Sequence, residues 1–513
     1  MQDRAVAVRC TIVVPGEIAA NTRLILTDHP LVFHARVIVM EVSTEHTRCS
    51  GQRDKAGRGY QVSSDSFHCF CSLRCDRCMW RASVPKGGQL LQRIKMKLEM
   101  GSKALIIGTF AGVAALAVLA FGERLEDTTY VPYGHKAIQY FETPTNEPVK
   151  ALDDRLDAGK ATLDYQPGGL GYLPALLKAL GINPDSQILV YAADSFQSPL
   201  ISAQRPRAVY FNDDMSVGFV QHGEVMEVTS LDPKQGVIFY TLGTAKVAKP
   251  SFARREVCLQ CHQGGHTLGV PGLVISSQYL PPGMPAEHAR GGFVTDDRTP
   301  IEDRWGGWYI SGDLGGQKHK GVPIGSSAGP NAELPFSRDA YLSPVSDIVA
   351  LLTLEHQTRM TNLMIRIAWD TRIAMAEGKM EEERPRLEAA IDDMVGYMLF
   401  ADEAPLTAPV KGASTFSKTF PERGPRDKEG RSLRDFDLQT RLFKYPLSYM
   451  IYSKAFDSMP DWDRERIYQR LYDVLTGKNA DKKFAKLSAA DRRNVLEIVR
   501  ATKTNLPGYW KGQ

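Results

Sequence analysis

The sequence predicts an α+β protein in which a β-rich N-terminal half is followed by a mostly α-helical C-terminal half. Two observations lead to this prediction. Between about residues 131 and 309, short runs rich in Val, Ile, Phe and Tyr are separated by turn residues, a pattern typical of antiparallel strands. From about residue 344, apolar residues recur at the helical period. We therefore expect the architecture to change near residue 344.

The first segment, residues 1–95, differs in composition from the rest. It contains every cysteine of the chain except Cys258 and Cys261, and its periodicity is weak. We interpret it as an upstream extension from a misassigned gene start, with Met96 or Met100 as natural starts, or as disordered. A zinc site in HCFCSLRCDRC is the alternative, although zinc ligands usually come as two separated Cys-x-x-Cys pairs and only one is present.

Residues 96–125 have the pattern of a signal peptide or an N-terminal membrane anchor. Lysines precede an apolar run at residues 104–121, and acidic residues follow it. This charge order predicts that the N-terminus stays inside and the C-terminal part lies outside. The run is long for a signal peptide and short for a spanning helix, so cleavage and retention in the membrane are both open.

The next segment, residues 126–250, is predicted to be a β-rich domain. A short helix, LPALLKALG, precedes five strand candidates: QILVYAADS, RAVYF, SVGFV, EVMEVTSL and GVIFYTLG. The turn sequences NDD, HG and DP separate them. We expect an antiparallel meander that runs directly into the following segment.

That following segment, residues 251–343, contains VCLQCHQGGH, in which Cys258, Cys261 and His262 fit the C-x-x-C-H pattern of c-type haem attachment. Two thiols at this spacing add across the two vinyl groups of one porphyrin, and the adjacent imidazole binds the iron. No other cysteine follows residue 95, so no disulfide framework competes for the pair. We predict one covalent haem c held by Cys258 and Cys261, with His262 as the proximal iron ligand.

Zinc on the same cysteine pair is the alternative for this motif. Cys258, Cys261 and His262 cannot easily all bind one ion, and a fourth ligand would be needed. Other function classes have little support: the chain has no phosphate loop, nucleophile elbow or dinucleotide motif. Its net charge of +4 is not arranged in the basic stripe that indicates nucleic-acid binding.

The last segment, residues 344–513, is predicted to be a helical domain. Helical periodicity is present in residues 344–378, 463–477 and 489–501. Between them, KGASTFSKTFPERGPRDKEGRSLRDF has the composition of a long polar loop.

The haem motif and the export signal together resemble those of bacterial c-type cytochromes. Residues from about 130 to the end also resemble a group of large, uncharacterised monohaem cytochrome c proteins, through RPRAVYFNDD, GVIFYTLG, CLQCHQGGHTLGVPG, RWGGWYISG and LEHQTRM. The resemblance implies no established reaction. It implies a histidine soon after the Trp-Gly-Gly-Trp-Tyr run, a place that His319 fills. GVPG is similar to bacterial cytochrome c peroxidases, but those carry two haem motifs and this chain has one.

The ligand on the far side of the iron decides the chemistry, because a strong sixth ligand gives an electron carrier and an open face allows reaction. Three distal candidates stand out: Met284 in a Gly-Met-Pro loop, His319 in a glycine-rich loop, and His356 on the apolar face of a helix. Each has a structural alternative, respectively a loop methionine, an exposed loop histidine and a hydrogen-bonded core histidine.

The sequence therefore predicts an exported monohaem cytochrome that transfers electrons. It would be periplasmic, or anchored in the inner membrane through residues 104–121 with the C-terminal part outside the cytoplasm. Its partner would be an unidentified redox protein, a periplasmic or membrane electron carrier. A haem enzyme with an open distal site, acting on peroxide, oxygen or a small molecule, is the alternative. Arg205, Arg207 and Arg304 could pair with the haem propionates or form structural ion pairs.

Overall fold

A computed structural model describes residues 6–11, 21–26, 130–192, 195–279, 291–328 and 333–511 of the chain. The chain divides into two units, Met1–Lys97 and Leu98–Gln513. In the first unit, strands β1 (Val6–Thr11) and β2 (Asn21–Leu26) pair in antiparallel fashion. The HCFCSLRCDRC stretch and the apolar run at residues 104–121 lie outside the described residues. None of the helices in the described ranges is both long and apolar enough to cross a membrane.

The predicted α+β class is confirmed in the second unit, where a β-rich part precedes a helical part. Six strands form one antiparallel sheet in which neighbours in the chain are neighbours in the sheet. This is the expected meander, and it leads directly to the haem motif. Its strands are β3 (Ile188–Val190), β4 (Arg207–Phe211), β5 (Met215–Phe219), β6 (Val225–Asp232), β7 (Gly236–Gly243) and β8 (Phe252–Arg254).

The two faces of this sheet differ in burial because side chains alternate between them along each strand. One face is fully buried, with Tyr210, Val217 and Met226 each at 0% exposure. Helices α1 (Pro148–Asp157) and α2 (Leu173–Leu180) precede the sheet in the chain, and α1 contacts β6 and β8. On the same face, the Tyr240 hydroxyl donates to the Glu147 carboxylate at the start of α1, 2.8 Å away.

The other face of the sheet is only partly covered. At one end, Ser216 and Thr229 line a small cavity together with Leu354 and Thr361 of a later helix. At the opposite end, Arg207 of β4 and Glu227 of β6 are half-buried. The haem motif lies beside this face, as described below.

Short elements follow the sheet. Helix α3 (Leu259–His262) carries the motif. The pairs β9 (Ser276–Gln278) with β10 (Gly292–Val294) and β12 (Gly312–Asp313) with β14 (Lys411–Gly412) are antiparallel, whereas β11 (Tyr309–Ile310) and β13 (Val322–Pro323) are parallel. The helical part contains α4 (Ile348–Glu377), α5 (Met380–Met398), α6 (Phe416–Glu422), α7 (Lys454–Asp457), α8 (Asp461–Leu475) and α9 (Ala489–Thr502).

Helix α4 is the central element of the helical part. The Asp347 carboxylate accepts hydrogen bonds from the Val349 and Ala350 amides at its start, and Gly378, with φ +72°, ends it in the left-handed conformation. Nearly all of its side chains are buried, including charged ones such as Glu355 and Arg366. Because a buried charge must be paired, this helix constrains its neighbours through specific partners as well as through apolar packing.

The predicted long polar loop at residues 411–436 is partly wrong. It contains α6, and the side chains of Phe416 and Phe420 are each 1% exposed. Phe420 stacks on Phe436 with ring centroids 5.2 Å apart, and Phe436 stacks on Phe443 at 5.3 Å. This stretch contains many charged residues, but its three phenylalanines pack in the core or against it. Only the tertiary structure brings these rings together.

The aromatic cluster gives a stability test. We expect Phe420→Ala to lower the free energy of unfolding by about 3–5 kcal/mol, because it removes a buried ring and leaves a cavity. Urea unfolding monitored by circular dichroism measures the effect. Phe196→Ala is the matched control: Phe196 is 60% exposed, so its loss should change stability by about 0.5 kcal/mol or less. Equal effects of the two changes would contradict the buried position of α6.

Candidate haem-binding site

The haem motif lies on one continuous helical turn. From β8 the chain passes through a 3₁₀ turn, Glu256–Cys258, into α3, which ends at His262. At this spacing Cys258, Cys261 and His262 project from the same side of the helix. Cys258 is half-buried and Cys261 is exposed, and neither thiol forms a disulfide within the described part of the chain. The predicted site residues are therefore adjacent and unpaired.

His262 is oriented by one hydrogen bond. Its Nδ1 lies 2.9 Å from the Gly272 carbonyl oxygen, and because a carbonyl only accepts, Nδ1 must carry the proton. Nε2 makes no hydrogen bond within the described residues. The ring rests against Phe239 of β7, with centroids 4.9 Å apart, and burial lowers the pKa of His262. A neutral imidazole with its proton on Nδ1 presents the Nε2 lone pair, which is the form that binds a metal.

The Gly272 carbonyl is held in place from α4. The Asn362 side chain accepts from the Leu273 amide at 2.9 Å and donates to the Leu273 carbonyl at 2.8 Å. A Cβ added to Gly272 would collide with Asn362 Oδ1, so this close approach requires glycine. Arg366, one turn further along α4, donates to the Leu268 carbonyl at 2.6 Å. The long helix thereby fixes the loop that orients His262.

The loop between His262 and Gly272 is also closed internally. The Gly272 amide donates to the His262 carbonyl at 2.9 Å, and Gln263 donates to the Gly269 carbonyl at 3.3 Å. Leu268 takes a left-handed conformation with φ +60°. His266 Nε2 lies 2.5 Å from the Cys261 carbonyl, so this second histidine contacts the motif's own backbone.

The Cys258 thiol is held in its protonated form. Burial, followed by the nearby Glu227 carboxylate, raises its pKa to about 11. Because disulfide exchange needs the thiolate, this environment disfavours oxidation of the motif to a disulfide.

A polar strip crosses the half-buried face of the sheet next to the motif. Cross-strand pairing aligns Gly218 with Glu227 and Glu227 with Thr241, and Thr241 shares its face with Phe239, two residues earlier on β7. At the edge of the strip, Arg207 donates to the Glu227 carboxylate at 2.7 Å. A Cβ added to Gly218 would contact the side chains of Glu227 and Arg207, so this ion pair passes over the glycine.

His319, the distal candidate implied by the resemblance, lies in a cleft of about 630 Å³ that Lys318, Lys320 and Asp303 also line. Its ring contacts the ring of Trp305, with centroids 5.5 Å apart. Burial lowers the pKa of His319. The imidazole is thus neutral, and its role as distal ligand stays a prediction.

His356 has a different environment. Its Nδ1 lies 2.9 Å from an Asp297 carboxylate oxygen, and its Nε2 lies 2.8 Å from the Ser448 hydroxyl. The ring stacks on Phe400 and Tyr397, with centroids 4.4 and 5.2 Å away. Neither nitrogen is free for iron in this arrangement, so the geometry fits the hydrogen-bonded core histidine. Met284 lies outside the described residues.

Arg304, one candidate partner for the haem propionates, is used inside the protein. It is 1% exposed and donates to the Glu355 carboxylate at 2.9 Å. The other oxygen of Glu355 accepts from the Trp305 indole at 3.1 Å. This network connects the Trp-Gly-Gly-Trp run to α4, and its partners explain why these residues are buried.

Three residues that support the motif, Phe239, Glu227 and Asn362, were not identified from the sequence. Phe239 and Glu227 belong to strands whose alternation predicts a face but not what covers it. Asn362 lies about a hundred residues after the motif and has no local signal. Within the described part of the chain, no cluster of three or more His, Cys, Asp or Glu side chains is arranged to hold a metal ion.

Comparisons of the chain with protein-family models, with curated proteins and with solved structures found no match.

The hydrogen bonds that connect α4 to the loop after the motif can be tested at Asn362. We expect Asn362→Ala to lower the free energy of unfolding by about 2 kcal/mol, because two hydrogen bonds to Leu273 are lost at about 1 kcal/mol each. Asn146→Ala is the control, since Asn146 is exposed and its side chain makes no hydrogen bond in the described residues. Chemical denaturation measures both, and an Asn362 variant as stable as the control would contradict the role.

The buried His356 predicts a pH dependence of stability. Burial lowers its pKa to about 3, whereas an unfolded histidine titrates near about 6.5. Between these two pKa values the unfolded chain binds a proton at His356 and the folded protein does not. The contribution of His356 to the free energy of unfolding is therefore fully present above about pH 6.5. It is lost as the pH falls toward 3, at about 1.4 kcal/mol per pH unit.

Urea unfolding at pH 7, 6 and 5 checks the expectation, with His356→Gln for comparison. The pKa of Asp297 is raised by burial, so its carboxyl titrates in the opposite sense. Because Asp297 lies 2.9 Å from His356, the difference in slope reports this pair. Parallel slopes for the two proteins would show that His356 does not resist protonation.

Proposed function

We propose that this chain is an exported monohaem c-type cytochrome that passes single electrons. The observation that carries the proposal is the hydrogen bond from His262 Nδ1 to the Gly272 carbonyl. It leaves the lone pair of Nε2 available beside two free thiols at the spacing that binds a porphyrin. His356 makes the contrast within the same chain, since a partner occupies each of its nitrogens.

The residues of the motif fit a haem c. Cys258 and Cys261 would hold the group through thioether bonds, and His262 would bind its iron. When bound, the haem supplies reversible one-electron transfer at the iron. The chain's own residues orient the ligand: Gly272 keeps the proton of His262 on Nδ1, and Phe239 supports one side of the imidazole ring.

Export is part of the proposal because covalent haem attachment of this type resembles the bacterial pathway that works outside the cytoplasmic membrane. Its support is the charge-flanked apolar run at residues 104–121, as a signal peptide or as an anchor. The protein would then be periplasmic, or held at the inner membrane, and would exchange electrons with another periplasmic or membrane carrier.

The first test is covalent haem content. We expect protein matured through an export route to give a pyridine haemochrome spectrum after denaturation, and the double variant Cys258→Ser, Cys261→Ser to give none, because only thioether-bound haem survives extraction. The variant Asn146→Ala, an exposed change away from the motif, is the control and should keep its haem. Wild-type protein that carries zinc and no haem would overturn the proposal in favour of the metal-site alternative.

The visible spectrum of the same sample distinguishes an electron carrier from a haem enzyme. A reduced α-band that carbon monoxide does not move is expected for a six-coordinate electron carrier. A spectrum that shifts with carbon monoxide would instead favour the haem enzyme with an open distal site, and the electron-carrier proposal would fail.

A further inference from the structure

Arg207 has a buried donor without an acceptor. One guanidinium nitrogen, Nη1, donates to Glu227 at 2.7 Å, but its Nε is buried and has no hydrogen-bond partner within the described residues. The neighbouring Gln197 donates to the other Glu227 oxygen at 3.2 Å, and its own Oε1 is also buried and unpartnered. An unsatisfied buried polar group costs about 1–3 kcal/mol. The Gln197 oxygen is an acceptor, so the atom that indicates a missing acceptor is the Arg207 Nε donor.

This cluster faces the same space as the haem motif. Glu227 stands on the strip that passes through Thr241 to the strand of Phe239, and Phe239 contacts the His262 ring. Arg207 and Glu227 therefore lie on the face of the sheet against which the motif packs.

The missing partner must be an acceptor that can approach a guanidinium edge. A carboxylate is the best match, because arginine forms its strongest hydrogen bonds with planar anions. A haem c carries two propionate carboxylates. Of the other arginine candidates, Arg304 is already engaged with Glu355 in the buried interior.

We propose that Arg207 is a haem-binding residue whose Nε donates to a propionate carboxylate, with Glu227 holding the guanidinium from its other side. This assignment rests on the proposed function, since it needs the haem to be present. Arg207 then also sets the reduction potential. Its positive charge favours the reduced haem, and the negative charge of Glu227 favours the oxidised haem.

Spectroelectrochemical titration of the exported holoprotein tests the assignment. We expect Arg207→Gln to lower the midpoint potential and Glu227→Gln to raise it, with covalent haem retained in both. Arg441→Gln is the matched control: Arg441 forms a similarly half-buried ion pair with Asp491, at 2.6 Å, in the helical part, and its loss should leave the potential unchanged. An Arg207–Glu227 pair that lies away from the haem would not move the potential in opposite directions.

The outcomes separate the two proposals. Wild-type protein without covalent haem would overturn the proposed function and this assignment with it. Haem present, but with the potential of Arg207→Gln equal to that of wild type, would overturn the assignment alone. If Arg207→Gln does not accumulate, Glu227→Gln decides by itself, because a lowered or unchanged potential in that variant contradicts the placement of the pair beside the haem.

Discussion

The loop that follows the motif is held by one side chain of the central helix. Asn362 makes two hydrogen bonds to the backbone of Leu273, and its close approach leaves room only for glycine at position 272. The Gly272 carbonyl in turn sets which nitrogen of His262 carries a proton. The chemical form of the candidate iron ligand therefore depends on a residue from the helical half, which couples two segments that the sequence presents as separate.

The same helix carries its charged residues into the interior in pairs. Glu355 accepts from both Arg304 and the Trp305 indole, and Arg366 pairs with Asp370 at 2.7 Å while also reaching the motif loop. Because an unpaired buried charge costs several kcal/mol, each pair specifies one arrangement of the segments around the helix. The core is continuous from Val131 to Trp510, so the β-rich, motif and helical segments of the second unit pack around one interior.

The two faces of the sheet differ in burial, and only one of them borders the candidate site. Its buried face packs under α1, whereas the other face ends in a strip of glycine, threonine and paired charges beside the motif. Runs of Val, Ile, Phe and Tyr between turn residues made the strands β4 to β7 predictable almost to the residue, and the helix period predicted α4, α8 and α9 with less exact ends. The stretch at residues 411–436 was mispredicted because its three phenylalanines are scattered among charges without either period.

The sequence by itself determined the local features: the C-x-x-C-H motif, the strand and helix periods, and the apolar run with its flanking charges. These depend on residues close together in the chain. Only the tertiary structure decided which side chains serve the motif. It gave both nitrogens of His356 a hydrogen-bond partner, used Arg304 in the interior, and brought Asn362 to the Gly272 loop. Among the described residues, it left one donor of Arg207 without an acceptor. Such roles are set by contacts between residues far apart in sequence, where no local spacing carries the information.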